Sequence, residues 1–98
     1  MPSRHEILWT DPALEDLRDI REYVSRDDPS AAKGLADKIR KGVLRLADHP
    51  LSGRIVPELA GLDYREVIIS PYRIVYMAKQ NRVIILRVWH GRSEMKPF

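Results

Sequence analysis

The amino-acid sequence predicts an α+β fold in which a helical hairpin packs on a small, mostly antiparallel sheet. Three observations predict it: an apolar run that begins the chain, two apolar stripes with helical spacing in the first half, and three runs rich in β-branched and aromatic residues in the second half. The predicted element order is β-α-α-β-β-β. With 98 residues, we expect one domain that spans residues 1–98.

The first half of the chain predicts one strand and two helices. The segment HEILWT (5–10) is a short apolar run that is typical of a strand. A helix follows, for which Asp11 is a natural N-cap and Pro12 fits the first helical position. Asp28 and Pro29 repeat this start signal before a second helix of about 20 residues. Because the break between the helices is short, we expect an antiparallel hairpin.

The second half predicts a loop and three strands. Segment 48–62 is rich in Pro and Gly and indicates a loop. The strand segments that follow are YREVIIS, YRIVYMA and RVIILRVWH. The links between them, at 70–71 and 79–81, are so short that successive strands must be antiparallel neighbours.

The turn between the last two strands determines which side chains share a face. If residues 80–81 form a two-residue turn, Arg73 lies opposite Val88. Strand alternation then places Arg73 and His90 on one face, and Arg92 continues that side if the strand runs on. These basic groups would converge at one end of the sheet.

Arg73 allows two interpretations, because an arginine in the middle of a sheet is costly unless it is paired or lies at a rim. In one interpretation Arg73 forms a salt bridge, for example to Glu66 or Glu58. In the other, Arg73 and His90 contact a ligand outside the protein.

Charge and composition favour a basic, cytoplasmic protein. The net charge is +3, but residues 1–30 carry −4 and residues 31–98 carry +7. A basic surface favours phosphates or an acidic partner, and a solvated face without a ligand is the alternative. The sequence has no cysteine, no apolar run of roughly 20 residues and no signal-peptide core, so we expect a cytoplasmic protein that does not enter a membrane.

We expect no metal and no cofactor. The histidines His5, His49 and His90 lie far apart in the chain, without the spacing of metal ligands. A Gly-rich phosphate-binding loop is also missing from the sequence.

Three segments, HPLSGRIVPEL, YREVIISPYRIVY and VIILRVWHGR, resemble the RelE/ParE superfamily, the toxins of bacterial type II toxin-antitoxin modules. The resemblance covers nearly the whole chain and includes the β-α-α-β-β-β order. It implies a cognate antitoxin as partner, and an acidic antitoxin segment would suit the basic part of the chain. It does not choose an activity, because the superfamily holds two.

One branch of the superfamily comprises ribosome-dependent mRNA endonucleases, in which the RNA 2′-OH attacks the adjacent phosphate. By motif, Arg73 matches the phosphate-binding arginine, Glu58 resembles the general base, and His90 falls where a histidine acid stands. Gly91 departs from the pattern, because those members follow the histidine with a tyrosine. Under this reading the partners are the ribosome and mRNA, and Arg65 and Arg92 could stabilise charge.

The other branch, the ParE type, poisons DNA gyrase and is not known as a nuclease. Its members tend to have a long helical hairpin and a last strand that ends in a hydrophobic residue followed by HG. Both features are present, so the resemblance favours this branch. His90, Gly91 and Arg92 would then belong to a contact surface, with Arg54 and Arg65 as further binding residues. A basic nucleic-acid-binding or structural domain without toxicity is a third interpretation.

Overall fold

Two helices cover one face of a five-stranded sheet in the computed structural model, which describes residues 4–59 and 61–91. The elements are β1 (Glu6–Trp9), α1 (Asp11–Ser25), α2 (Pro29–Leu44), β2 (Arg54–Ile55), β3 (Arg65–Ile69), β4 (Tyr72–Lys79) and β5 (Arg82–His90). The strand order across the sheet is β1-β5-β4-β3-β2, and only the β1–β5 pair is parallel among the described residues. The predicted fold class is confirmed, and the two-residue strand β2 is an addition inside the predicted loop.

Both helices begin within one residue of the predicted start, but the N-cap of α1 is a different residue from the predicted one. The Asp28 side chain accepts a hydrogen bond from Ala31 N at 3.1 Å and caps α2, as predicted. The cap of α1 is Thr10, which accepts from Ala13 N at 3.2 Å, whereas the predicted Asp11 is already helical. Thr10 still has an extended backbone, so its side chain can fold back onto the first turn. Within the described chain, neither helix combines the length and apolar character that crossing a membrane requires.

The main hydrophobic core lies between the helices and the sheet. Each large aliphatic side chain buried there stabilises the fold by about 1.5–3 kcal/mol. Its buried members are Ala13, Ile39, Val43, Leu46, Ile69, Tyr72, Ile74, Tyr76, Val83, Ile85 and Val88. A smaller cluster of Val56, Leu59 and Val75 forms on the opposite face of the sheet, away from α1 and α2.

A β-bulge in β5 changes the register in the half of the sheet that carries the predicted site. The turn at Gln80 and Asn81 is confirmed, because both residues have the positive φ angles, 51° and 63°, of a tight hairpin turn. The predicted register holds from this turn to the pair Tyr76–Ile85. Beyond that pair Leu86 is an extra residue, so every later position of β5 is displaced by one.

The bulge separates Arg73 from His90. Arg73 lies opposite Trp89 instead of Val88, and His90 lies opposite Tyr72. The Tyr72 and His90 rings meet edge to face, with centroids 5.6 Å apart, and Tyr72 belongs to the main core on the helical side. The prediction that Arg73 and His90 share a face is therefore wrong, because one inserted residue inverts the alternation of side chains.

Two polar side chains from the start of α1 hold the bulge in place. The Thr10 hydroxyl donates to the carbonyl of the bulge residue Leu86 at 3.1 Å. The Asp16 carboxylate accepts the Val88 N–H at 2.9 Å and pairs with Arg87 Nε and Nη2 at 2.7 and 2.9 Å. These contacts satisfy backbone groups of β5 after its neighbour β1 has ended, and they tie the helical layer to the bulge.

Replacing Asp16 should test this attachment. We expect Asp16→Asn to lower the free energy of unfolding by about 1–3 kcal/mol, because charge-assisted hydrogen bonds to Arg87 and Val88 are weakened. Urea denaturation of the purified protein measures this difference. Asp19→Asn, an equivalent change at an exposed position of the same helix, is the control and should leave the midpoint unchanged. Equal midpoints for both variants would contradict this role of Asp16.

Candidate functional site

Arg73 stands at the centre of four alternating charges on the sheet face away from the helices. Its Nη1 and Nη2 atoms donate to Glu58 Oε2 and Oε1 at 2.6 and 2.9 Å, and its Nε donates to Glu66 Oε1 at 2.7 Å. The other Glu66 oxygen accepts from Arg54 Nε at 2.6 Å. We call Arg54, Glu66, Arg73 and Glu58 the Arg73 charge chain. Its formal charges cancel.

Burial explains why these charges must be paired. The side chains of Arg73 and Glu66 are 8% and 0% exposed, whereas Glu58 and Arg54 reach solvent at the two ends. A buried ion is tolerated only when partners and hydrogen bonds replace its water. Within the described residues, no buried side-chain nitrogen or oxygen lacks a partner. The salt-bridge interpretation of Arg73 is confirmed for both carboxylates.

The pairing shifts the pKa values of its members. The hydrogen bond from Arg73 lowers the pKa of Glu58 from 4.5 to about 2. Hydrogen bonds from Glu58 and then Glu66 raise the pKa of Arg73. A general base works best when its pKa is near the operating pH. Glu58 is therefore a weak base at neutral pH, and both of its oxygens already accept hydrogen bonds from Arg73.

The loop that precedes Glu58 is anchored to the sheet by Tyr76. The Tyr76 hydroxyl donates to the Pro50 carbonyl at 2.8 Å and accepts from Gly53 N at 2.9 Å. Burial raises the pKa of Tyr76, so the hydroxyl keeps its proton. Arg65 Nη1 donates to the Gly53 carbonyl at 2.8 Å, which gives this predicted binding residue a structural contact with the loop.

The residues predicted to form a contact surface at the end of the last strand, His90, Gly91 and Arg92, differ in their surroundings. His90 is exposed and lies across from Tyr72 on the helical side of the sheet. The Gly91 N–H donates to the Pro71 carbonyl at 2.6 Å, and a Cβ on Gly91 would lie 2.9 Å from that oxygen. This close approach favours glycine. Arg92 lies outside the described residues.

A shallow depression of about 410 Å³ lies over one end of the charge chain. It is lined by Arg54, Ile68, Ser70, Pro71, Arg73 and Gly91. The structure thus brings together Arg54, Arg73 and Gly91 and joins Glu58 to Arg73, but it leaves His90 on the opposite face. In the described ranges, no three His, Cys, Asp or Glu side chains are placed to hold a metal ion.

The sequence did not predict the salt bridge between Arg54 and Glu66 or the solvent-exposed position of Ile68. A usable signal was available for Glu66, because a glutamate inside the β-branched segment REVII must either be paired or face solvent. Arg54 carried no such signal, since its strand has only two residues.

Comparison with known proteins identifies the family. Residues 7–95 match the family model described as ParE toxin of type II toxin-antitoxin system, parDE. The chain belongs to this ParE toxin family. Toxin RelE2 of Caulobacter vibrioides is 36% identical over 87 residues, covering 88% of this chain and 94% of the relative. Y4kP of Sinorhizobium fredii is 37% identical over 94 residues, covering 94% of each chain.

Two solved structures share the fold. The chromosomal ParDE toxin-antitoxin system of P. aeruginosa matches with a TM-score of 0.75 and 23% identity, over 89% of this chain and 96% of that chain. The toxin-antitoxin complex RelBE2 of Mycobacterium tuberculosis matches with a TM-score of 0.64 and 20% identity, over 89% and 98%. The resemblance to the RelE/ParE superfamily is confirmed. Because names of both branches occur among the relatives, the choice of activity depends on the geometry of the site.

The buried carboxylate should contribute most to the stability of the charge chain. We expect Glu66→Gln to lower the free energy of unfolding by about 3 kcal/mol, because it leaves Arg73 and Arg54 without their shared carboxylate. Urea denaturation measures the loss, and Glu15→Gln on the exposed side of α1 is the matched control. Wild-type stability in Glu66→Gln would show that the buried charge does not need this partner.

The Glu58–Arg73 pair should make stability depend on pH. Because folding lowers the pKa of Glu58 from 4.5 to about 2, its contribution is complete above pH 4.5 and is lost as the pH falls towards 2. The Glu58 side chain is 41% exposed, so solvent screening limits the contribution to about 1 kcal/mol. We expect the stability difference between wild type and Glu58→Gln to shrink over this range in urea titrations. A difference that stays constant with pH would contradict the pairing.

Proposed function

We propose that the protein is a ParE-like toxin that inhibits growth by binding and poisoning DNA gyrase and that a cognate antitoxin neutralises it. The observation that carries this proposal is the Arg73 charge chain: the predicted phosphate-binding arginine and the predicted general base neutralise each other. The family match and the hairpin of 15- and 16-residue helices support the same branch.

The geometry gives little support to phosphodiester cleavage. That reaction needs a base, a cation and an acid arranged around one phosphate. Here Glu58 and Arg73 are joined by two hydrogen bonds, and His90 lies on the other face of the sheet. A phosphate would meet a guanidinium that is 8% exposed and already neutralised by two carboxylates. Contact with a protein target requires no such rearrangement.

The proposed antitoxin would cover exposed apolar surface. Among the residues that the structure describes, the large apolar side chains that are at least 44% exposed are Leu44, Leu51, Ile55, Leu62, Ile68 and Tyr23. Several of them lie in or beside the loop and the β2–β3 edge of the sheet, and contiguous exposed apolar surface is typical of a binding site. The M. tuberculosis RelBE2 structure is a toxin-antitoxin complex, which supports such a partner here.

The alternative is a RelE-like mRNA endonuclease that acts on the ribosome with Glu58, Arg73 and His90. Two observations favour it: Glu58 and Arg73 are in contact, and the 36% identical relative is named RelE2. This activity would require Glu58 to leave Arg73 and the substrate to reach His90 around the end of the sheet.

Purified protein should discriminate between these activities. We expect it to inhibit supercoiling of relaxed plasmid by gyrase and ATP, and to produce no new 5′ ends in mRNA on translating ribosomes, as read by primer extension. A heat-denatured sample is the control for both assays. Normal supercoiling with mRNA cuts at fixed positions within codons would replace the proposal by the endonuclease. Normal supercoiling with intact mRNA would support a domain without toxicity.

A further inference from the structure

One exposed face of α2 carries a row of basic side chains. Lys38, Lys41 and the C-cap residue Arg45 follow one another at spacings of three and four residues, which places them along one side of the helix axis. His49 follows after four more residues, and its side chain and that of Arg45 border the same depression of about 410 Å³. All four residues are exposed. We call Lys38, Lys41, Arg45 and His49 the α2 basic row.

The fold does not neutralise the cations of this row. Within residues 4–59 and 61–91, no carboxylate forms an ion pair with Lys38, Lys41 or Arg45. By contrast, Arg73 on the sheet is held by two carboxylates. The positive charge of the α2 basic row is therefore available to a ligand.

Two carboxylates line the depressions beside the row, and both already have cationic partners. Asp37 lies 3.7 Å from Arg40, which borders the opposite side of the helix. The side chain of Glu66 is completely buried and is bonded to Arg54 and Arg73. Neither carboxylate leaves an unpaired negative charge beside the row that would repel an anion.

Acidic residues concentrate on the other helix of the hairpin. The sequence of α1 contains five acids and two bases, whereas that of α2 contains one acid and four bases. A large polyanion would therefore attract the α2 side of the molecule and repel the α1 side. This separation of charge would orient the protein with the α2 basic row towards the polyanion.

The side chains around the row favour a double-stranded nucleic acid. Depressions of about 540 and 410 Å³ flank the row, and among the described residues that line them there is no Phe, Tyr or Trp. Single-stranded nucleic acids are held largely by bases that stack on aromatic rings. Protein interfaces concentrate their binding energy in a few buried anchors, among which Trp and Tyr are prominent. The row offers mainly cations, which suits the phosphates of a duplex.

The length of the row fits the major groove of DNA. Lys38 and Arg45 are seven residues apart, which separates them by roughly 10 Å along the helix axis. The major groove of B-DNA is about 12 Å wide, so cations at the two ends of the row can contact phosphates on opposite rims. The major groove of an RNA duplex is narrow, so its rims fit this separation less well.

We propose that the α2 basic row binds the phosphate backbone of duplex DNA across the major groove. Lys38, Lys41 and Arg45 pair with phosphates, and the His49 imidazole donates a hydrogen bond to a phosphate oxygen. Such contacts do not read the bases, so binding is independent of sequence. The inference goes beyond the proposed function, because binding to free DNA requires no gyrase. It would bring the toxin to the molecule on which gyrase acts.

Fluorescence anisotropy of a fluorescein-labelled 20-base-pair DNA duplex of about that length tests the proposal, because charge contacts give a defined salt dependence. We expect saturable binding to the full chain, with a slope of log affinity against log salt of about −2.7, or about −0.9 for each of three phosphate contacts. Lys41→Gln and Arg45→Gln should each weaken binding by about fivefold at low salt and reduce the slope to about −1.8.

Lys33→Gln is the matched control, because Lys33 is an exposed lysine of the same helix that borders the cavity between α1 and α2 instead. It removes the same charge and should leave the affinity within about twofold of wild type. Thermal unfolding of each variant checks that the fold is intact. An equal loss in Lys33→Gln would show general attraction to a basic protein and overturn the site.

Competing polyanions complete the test. We expect an RNA duplex, a single-stranded DNA and a polyglutamate peptide to bind more weakly than the DNA duplex. Tighter binding of any of them, with the same dependence on Lys41 and Arg45, would overturn the assignment to duplex DNA. Absence of saturable DNA binding would overturn it as well, and would leave the gyrase proposal to its own supercoiling assay.

Discussion

A guanidinium in the interior of a sheet has to be neutralised where it lies, and the face of this sheet away from the helices is organised around that requirement. Arg73 lies near the start of β4, the central strand of the sheet, with only 8% of its side chain exposed. Glu66 reaches it from the neighbouring strand, and Glu58 reaches it from the loop that Tyr76 fastens to the sheet. Arg54 then balances the second oxygen of Glu66. The short strand β2, which carries Arg54, and the turn that carries Glu58 thus both supply partners for the ion pairs around Arg73.

This pairing also determines what the site can do. A cation that binds two carboxylates has little capacity left for a phosphate, and a carboxylate whose pKa is near 2 has little basicity left for a 2′-OH. This arrangement supports the proposed contact with a protein target. Among the described residues, cations without a carboxylate partner include Arg18, Arg21 and Lys33 on the helical hairpin.

Local signals in the sequence predicted most of the fold. Apolar periodicity located both helices, Asp28 located the start of the second, and residues 80–81 formed the expected turn. The need to pair a buried arginine correctly indicated Glu58 and Glu66 as its partners.

The sequence did not predict the face of the sheet on which His90 lies. No local pattern contains the cause. A single extra residue, Leu86, inverts the end of β5, and the bulge is held by Thr10 and Asp16. These residues lie more than seventy positions earlier in the chain. Alternation within one strand cannot reveal such a contact, because only the docking of α1 against β5 brings the groups together.

The most direct measurement of the central claim is the pKa of the Glu58 side-chain carboxyl, followed by carbon-13 NMR during an acid titration of the folded protein. A value near 2 would establish that Arg73 holds Glu58 as a committed ion-pair partner. A value near the ordinary 4.5 would show that the two groups are not paired in solution. Arg73 would then be open to a phosphate, and the endonuclease reading would regain its base and its cation.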